Sequence, residues 1–255
     1  MKILLPIFLL IMSCNVYSQE RVELSSFFFF TKYGIENNST DFNRVSTNPS
    51  CCDNNFSDAS GNSFHLGSQY NYLIGSGFYV LGSLEVSHSN SDFSKIEFQE
   101  IRDPVTVNAE IEHSINTRVY LTSLSTGLSY KFKALRISGI LGFNLFLNGN
   151  YDGKEILVSP SNYGTFENGL RTRNQIESGD MDLLNTATFF NEFRMAYDFN
   201  LNSSGSVVVS PFLSYRFGFN SRVDNGDLTS SLLNIGIGIR LKELSEFSSP
   251  LNPER

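Results

Sequence analysis

The chain has 255 residues, of which 40% are hydrophobic and only 18% are charged, against roughly 25% charged in an ordinary soluble domain. Its 19 lysines and arginines are outnumbered by 26 aspartates and glutamates, so the net charge is −7 and no basic surface is expected for nucleic-acid phosphates. After the first dozen residues no apolar run approaches the roughly 20 residues of a spanning helix, which excludes a helical membrane protein.

The N-terminus has the pattern of a secretory signal peptide. A lysine at position 2 precedes the apolar run 3–12, and Val16-Tyr17-Ser18 is a suitable cleavage site. We therefore predict that residues 1–18 are a signal peptide. A lipoprotein signal is the alternative, because residues 11–14 resemble a lipobox whose Cys14 would be acylated.

Cys51 and Cys52 are the two cysteines that remain after the predicted cleavage. Adjacent cysteines form either a strained vicinal ring or bridges to other chains, or they stay reduced. Zinc binding with Asp53 and His65 is weakly supported, since the spacing fits no standard zinc pattern. We expect a loop cysteine pair, with no metal and no cofactor.

The body of the chain alternates apolar and polar residues with a period of two, which predicts β-strands. The pattern is clearest in Leu135–Asn148 and Thr229–Leu241 and least regular in Val22–Lys32, where Phe27 to Phe30 are apolar on both faces. No helical period of comparable length is present. The eight predicted strands are 22–32, 61–72, 77–89, 117–132, 135–148, 186–201, 206–219 and 229–241.

The predicted connections alternate in length. Those at 33–60, 90–116 and 149–185 are long, those at 73–76, 133–134 and 202–205 are short, and 220–228 is intermediate. Long extracellular loops and short periplasmic turns are typical of outer-membrane barrels, whereas a soluble sandwich has no reason to keep the alternation. The sequence predicts an all-β fold: an eight-stranded antiparallel up-and-down transmembrane barrel over 19–242, followed by a short periplasmic tail, 243–255.

Aromatic residues at the strand ends support this prediction, because two aromatic girdles mark the interfaces of a membrane-spanning barrel. The girdle near the short turns is predicted to contain Tyr70, Tyr72, Phe78, Tyr130, Phe132, Tyr197 and Phe199. The girdle near the long loops is predicted to contain Phe28, Phe30, Tyr120, Phe189, Phe217 and Phe219.

Several short motifs also resemble a known family. They are Cys51-Cys52 followed by Ser60–Phe64, then Leu121–Leu124, Ser178–Asp180 and Ser210–Gly218. From about Cys51 to Leu241 the chain resembles the eight-stranded outer-membrane β-barrel domain of Gram-negative envelope proteins, the N-terminal barrel of OmpA type. Residues 242–255 are too few for the peptidoglycan-binding domain that often follows it. The resemblance implies an outer-membrane location, contact with lipid and with the barrel assembly machinery, and a monomer.

An eight-stranded barrel is just wide enough for side chains to fill its interior. Buried charges there must be paired. We predict a lumenal charge network in which Glu85 and Glu192 pair with Arg194, Arg216 and Arg240. Inward glycines, among them Gly67, Gly236 and Gly238, are expected to make room for these long side chains.

The expected function is a structural, adhesive or envelope-maintenance role, without enzymatic activity. A narrow, porin-like channel for small or apolar molecules is the main alternative. An outer-membrane enzyme is a further one, since His65, His88 and His113 lie near serines and an aspartate in sequence: Ser63, Ser87, Ser89 and Asp92. The stretch Glu97–His113 keeps alternating, so it is a possible ribbon beyond the membrane with an edge for an extracellular or envelope protein.

Overall fold

A computed structural model describes residues 22–41, 55–103, 105–159, 165–166, 169–173, 179–180, 187–218 and 229–245. These residues form eleven strands, because the period-two pattern runs through nearly all of them. The strands are β1 (Val22–Asp41), β2 (Asn55–Gly75), β3 (Phe78–Asp103), β4 (Val105–Phe132), β5 (Leu135–Ser159), β6 (Thr172–Arg173), β7 (Gly179–Asp180), β8 (Ala187–Tyr197), β9 (Phe199–Asn200), β10 (Val207–Gly218) and β11 (Thr229–Ser245). No helix in these ranges has the length and apolar character needed to cross a membrane.

Eight of the strands form a closed antiparallel ring. Its order is β1, β2, β3, β4, β5, β8, β10 and β11, and β11 pairs with β1 to close it. The two-residue strand β9 continues β8 beside β10, while β6 and β7 add to the edge of β5. The predicted eight-stranded up-and-down barrel is confirmed. Short connections lie at one end, here named the turn end, and the opposite end is named the loop end.

The strands are longer than predicted at the loop end. The predicted loop 90–116 consists largely of two paired strands, whose pairing extends to Asp103 opposite Val105. A barrel strand needs about 9–11 residues to cross a bilayer, but β3 has 26 residues and β4 has 28. More than half of each strand therefore extends beyond a membrane. The ribbon that continued alternation predicted for Glu97–His113 is present, and strand pairing also includes the residues on both sides of it that were predicted as loop.

The barrel has an apolar exterior and a polar interior. On β11, Ile235, Ile237 and Ile239 are exposed, whereas Asn234 and Arg240 are buried. The same alternation exposes Tyr70, Tyr72, Phe78, Tyr130 and Phe132 at the turn end, in agreement with the predicted girdle. An apolar belt outside a polar lumen is the arrangement of a membrane-spanning β-barrel.

The first strand departs from the predicted alternation. Its register with β11 shifts between Glu23 and Ser25, and Ser25 and Ser26 are both buried. After this irregularity the even-numbered residues face the lumen, so Phe28 and Phe30 lie inside and not in the outer girdle. A bulge of this kind reverses the side-chain direction of everything that follows it.

The inward glycines make room for phenyl rings, not for the long charged side chains that we predicted. A Cβ at Gly67 would lie 2.5 Å from the tip of Phe30. The rings of Phe28 and Phe212 lie in the same way over Gly238 and Gly236.

Gly77 in the turn between β2 and β3 occupies a conformation that favours glycine. Its φ is 80°, and a Cβ there would lie 2.9 Å from the carbonyl oxygen of Lys131. We expect Gly77→Ala to lower the free energy of unfolding by about 1–2 kcal/mol, because an L residue is strained in this region. Urea unfolding in lipid vesicles measures the change. Gly75→Ala is the matched control, since open space surrounds its Cβ position, and equal losses for both variants would contradict the prediction.

Candidate functional site

The most distinctive feature of the lumen is a group of buried charges, here called the central network. It contains Lys32, His65, Glu85, Glu192, Arg194 and Arg216. The Lys32 Nζ lies 2.9 Å from Glu85 Oε2 and 3.0 Å from Glu192 Oε2. It therefore bridges two carboxylates that come from opposite parts of the chain.

Both carboxylates of the central network also bind arginine. The Arg216 guanidinium lies 2.9 Å from Glu85 and 2.7 Å from Glu192. Arg194 donates to Glu192 at 2.7 Å and to Gln69 at 2.8 Å. Cross-strand register explains part of this arrangement, because Arg216 lies directly opposite Glu192 on the neighbouring strand. The network stabilises the barrel only as a unit, since a buried charge without its partner is costly.

An aromatic layer borders the central network towards the turn end. Phe28, Phe30 and Phe212 form it, with ring centroids 5.3–5.9 Å apart. The Arg194 guanidinium lies 4.8 Å from the Phe30 ring and 5.0 Å from the Phe212 ring. These contacts add cation–π attraction and cover the apolar atoms of the arginine.

A second set of charges, here called the basal network, lies on the other side of the aromatic layer. It contains Glu23, Lys131, Arg136, Asp198, Arg240 and Lys242. Glu23 accepts from Arg136 and Lys131 at 2.8 Å each, and Asp198 accepts from Ser210 at 2.6 Å. Arg240 lies 3.5 Å from Asp198 and 4.4 Å from the ring of Phe28. Along the barrel axis, the lumen thus contains the basal network, then the aromatic layer, then the central network.

The structure brings four of the five predicted network residues together. Glu85, Glu192, Arg194 and Arg216 belong to the central network, whereas Arg240 belongs to the basal network. The prediction missed Lys32 and His65 as members. Lys32 was the last residue of the predicted first strand, and the four consecutive phenylalanines before it hid which side it faces.

His65 links the central network to a serine. Its Nδ1 lies 2.8 Å from Glu85 Oε1 and its Nε2 lies 2.8 Å from Ser63 Oγ. Ser63 and His65 line a cavity of about 20 Å³, together with Arg216, Asn144 and Thr188. This space holds about one water molecule.

The other predicted catalytic candidates lie apart from this group. His88 is on the outer face, where its ring lies 4.6 Å from that of Tyr120. Asp92 is exposed and accepts a hydrogen bond from Asn116. His113 lies beyond the barrel, 3.1 Å from Glu155. Ser89 donates to Glu36 within the lumen. Cys51, Cys52 and Asp53 lie outside the described residues.

Beyond the barrel, three strands continue as what we call the outer sheet: residues 94–103 of β3, 105–114 of β4 and 154–159 of β5. Its inner face has a small apolar core of Ala109, Ile111, Leu157 and Phe166, all at most 6% exposed. Arg171 holds this core in place through hydrogen bonds between its backbone carbonyl and the Leu157 amide and between its guanidinium and the Leu157 carbonyl. The outer sheet is therefore packed on one face.

Comparison with known proteins gives matches among solved structures alone. No protein-family model and no curated protein matches the chain. The attachment invasion locus protein Ail of Yersinia pestis is similar over 86% of this chain and 100% of its own, with 14% identity and a TM-score of 0.36. Neisserial surface protein A is similar over 85% and 97%, with 10% identity and a TM-score of 0.40. The outer membrane protease OmpT of Escherichia coli is similar over 91% and 100%, with 8% identity and a TM-score of 0.33. The assignment to the OmpA type stays a prediction.

Proposed function

We propose that the chain is an integral outer-membrane barrel with a structural role, which carries the outer sheet on the cell surface. The supporting observation is the inside-out distribution of side chains: an apolar belt outside, and charged and aromatic levels inside. In this proposal residues 1–18 direct export, the turn end faces the periplasm, and lipid surrounds a monomeric barrel that the assembly machinery inserts.

The layered lumen favours a closed barrel over a channel. Lys32, Glu85 and Glu192 are at most 3% exposed, and so are Phe28 and Phe30 below them. A hydrated ion that crossed the barrel would have to displace both a charge network and an aromatic layer. Eight-stranded barrels typically have room only for such side chains.

A structural role for Ser63 and His65 fits their surroundings better than catalysis. Their hydrogen-bond chain to Glu85 has the order of a nucleophile, a base and an orienting carboxylate. Glu85, however, also binds Lys32 and Arg216, and the adjoining cavity has room for water and not for an ester or peptide. We therefore propose that the chain is not an enzyme.

Reconstitution tests the proposed function. The purified full chain should show heat-modifiable migration on a gel, because a closed barrel resists detergent until it is boiled. In planar bilayers it should give no steady conductance. A steady ion current from the unaltered protein would contradict the closed lumen, and identical migration with and without boiling would contradict the barrel.

A further inference from the structure

The outward face of the outer sheet carries an unusual sequence of side chains. Along β3 the outward residues are apolar up to Val86, polar at Asn90, Asp92 and Ser94, and apolar again at Ile96 and Phe98. The polar interval marks the end of the lipid-facing belt. Ile96 and Phe98 are 54% and 74% exposed, and they lie beyond that interval, where lipid cannot cover them.

Cross-strand register places acidic residues between two apolar strips. Ile96 lies opposite Glu112, which lies opposite Ile156 on the third strand. In the next row Phe98 lies opposite Glu110, and Val158 is adjacent on β5. We call these six residues the acidic patch: Ile96, Phe98, Glu110, Glu112, Ile156 and Val158.

The glutamates of the acidic patch form no ion pair among the described residues, while Lys154 lies one row below on the same face. Glu110 and Glu112 are half-buried, and Glu100 adds an exposed carboxylate beyond Phe98. Exposed apolar side chains around acidic groups fit a ligand that presents a cation with apolar neighbours. The anionic surface of a membrane would be repelled.

Rigidity makes the patch suitable for recognition. Its opposite face packs on the core of Ala109, Ile111, Leu157 and Phe166, and the buried His113–Glu155 pair lies at the base of the sheet. A preorganised surface loses little conformational entropy when it binds.

We propose that the acidic patch binds an extracellular polypeptide segment that presents lysine or arginine between apolar side chains. Carboxylates of Glu110 and Glu112 pair with the cations, and the strips of Ile96–Phe98 and Ile156–Val158 receive the apolar side chains. This inference rests on the proposed function, since it requires the loop end to face outwards from the cell.

A designed hairpin peptide tests the proposal. It has two Val-Ser-Lys-Ser-Val segments joined by an asparagine–glycine turn, so that valine and lysine share one face. Fluorescence anisotropy with the full chain in lipid nanodiscs should show binding that weakens with salt, because added ions screen exposed charges over about 10 Å at 0.1 M. A peptide with glutamate in place of lysine should not bind.

Variants locate the binding on the patch. Glu110→Gln combined with Glu112→Gln should weaken binding about tenfold, and Phe98→Ser should weaken it similarly. Asp152→Asn is the matched control, because it removes one carboxylate from the same face below the patch and should leave binding unchanged. Equal binding of the lysine and glutamate peptides, or wild-type binding by the double variant, would overturn the proposal.

Two further measurements separate the possible failures. Heat-modifiable migration of the same preparation reports barrel formation independently. A loss of peptide binding can therefore be distinguished from a failure to form the barrel. Mass photometry reports self-association. One result would overturn the proposed partner: the wild-type chain does not bind the lysine peptide but forms dimers, and Phe98→Ser abolishes the dimers. A second copy of the chain would then cover the patch.

Discussion

Glu192→Gln is expected to lower the free energy of unfolding by about 3–5 kcal/mol, the cost of removing one partner from a buried ion pair. The Glu192 carboxylate accepts from Lys32, Arg194 and Arg216 within 3.0 Å, and all four side chains are buried. A neutral amide leaves Lys32 and Arg216 with Glu85 as their carboxylate, and it takes from Arg194 the carboxylate that this side chain contacts. Urea unfolding of the barrel in lipid vesicles measures the loss.

A compensating substitution tests whether charge balance causes this loss. Adding Lys32→Met to Glu192→Gln removes one cation along with the carboxylate, so the double variant should regain part of the lost stability. Glu100→Gln, an exposed glutamate of the outer sheet, should change the unfolding free energy by less than about 0.5 kcal/mol. Similar losses for Glu192→Gln and Glu100→Gln would show that the central network contributes little.

Phe212→Ala is expected to destabilise the barrel by about 3–5 kcal/mol and to make the lumen leaky. The ring lies 5.9 Å from Phe28, 5.8 Å from Phe30 and 5.0 Å from the Arg194 guanidinium. Its removal leaves a void above Gly236 between the two charge networks, which water can enter. Thermal loss of the heat-modifiable band and planar-bilayer recordings measure the two effects.

A lipid-facing phenylalanine serves as the control for conductance. Phe193 lies on β8 and is 61% exposed on the outer face. Phe193→Ala removes the same atoms from the belt and should leave the lumen closed. If Phe212→Ala conducts no more than Phe193→Ala, the aromatic layer is not what blocks ion passage.

The eight strands were predictable because alternation is a local property. In Thr229–Leu241, the apolar residues that were predicted to face outwards are all exposed: Leu233, Ile235, Ile237, Ile239 and Leu241. The ends of the strands were less predictable. Residues 90–116 are polar enough to suggest a loop, and only the alternation over Glu97–His113 indicated a ribbon. Pairing of β3 with β4 continues to Asp103 and Val105, because a long hairpin satisfies its backbone groups. Composition alone does not show where pairing stops.

The central network shows a different limit. Inward direction follows from alternation, so Glu85, Glu192, Arg194, Arg216 and Arg240 were all assigned to the lumen from their positions. Which of them meet depends on height along the barrel axis, and height depends on register. Arg240 pairs with Phe28 on β1, near the turn end, whereas Lys32 on the same strand pairs with His65. Four residues on β1 therefore separate the levels of the two networks.

The low overall charge and the period-two pattern were sufficient for the class of fold, because each strand sorts its own side chains between lipid and lumen. The central network, in contrast, forms only because the sheet closes into a barrel. Lys32 and Glu192 are 160 residues apart, and they meet because the pairing of β1 with β11 curves the sheet until β1 and β8 face each other across the lumen. No local pattern contains that contact, since it arises from the register of all eight strands together.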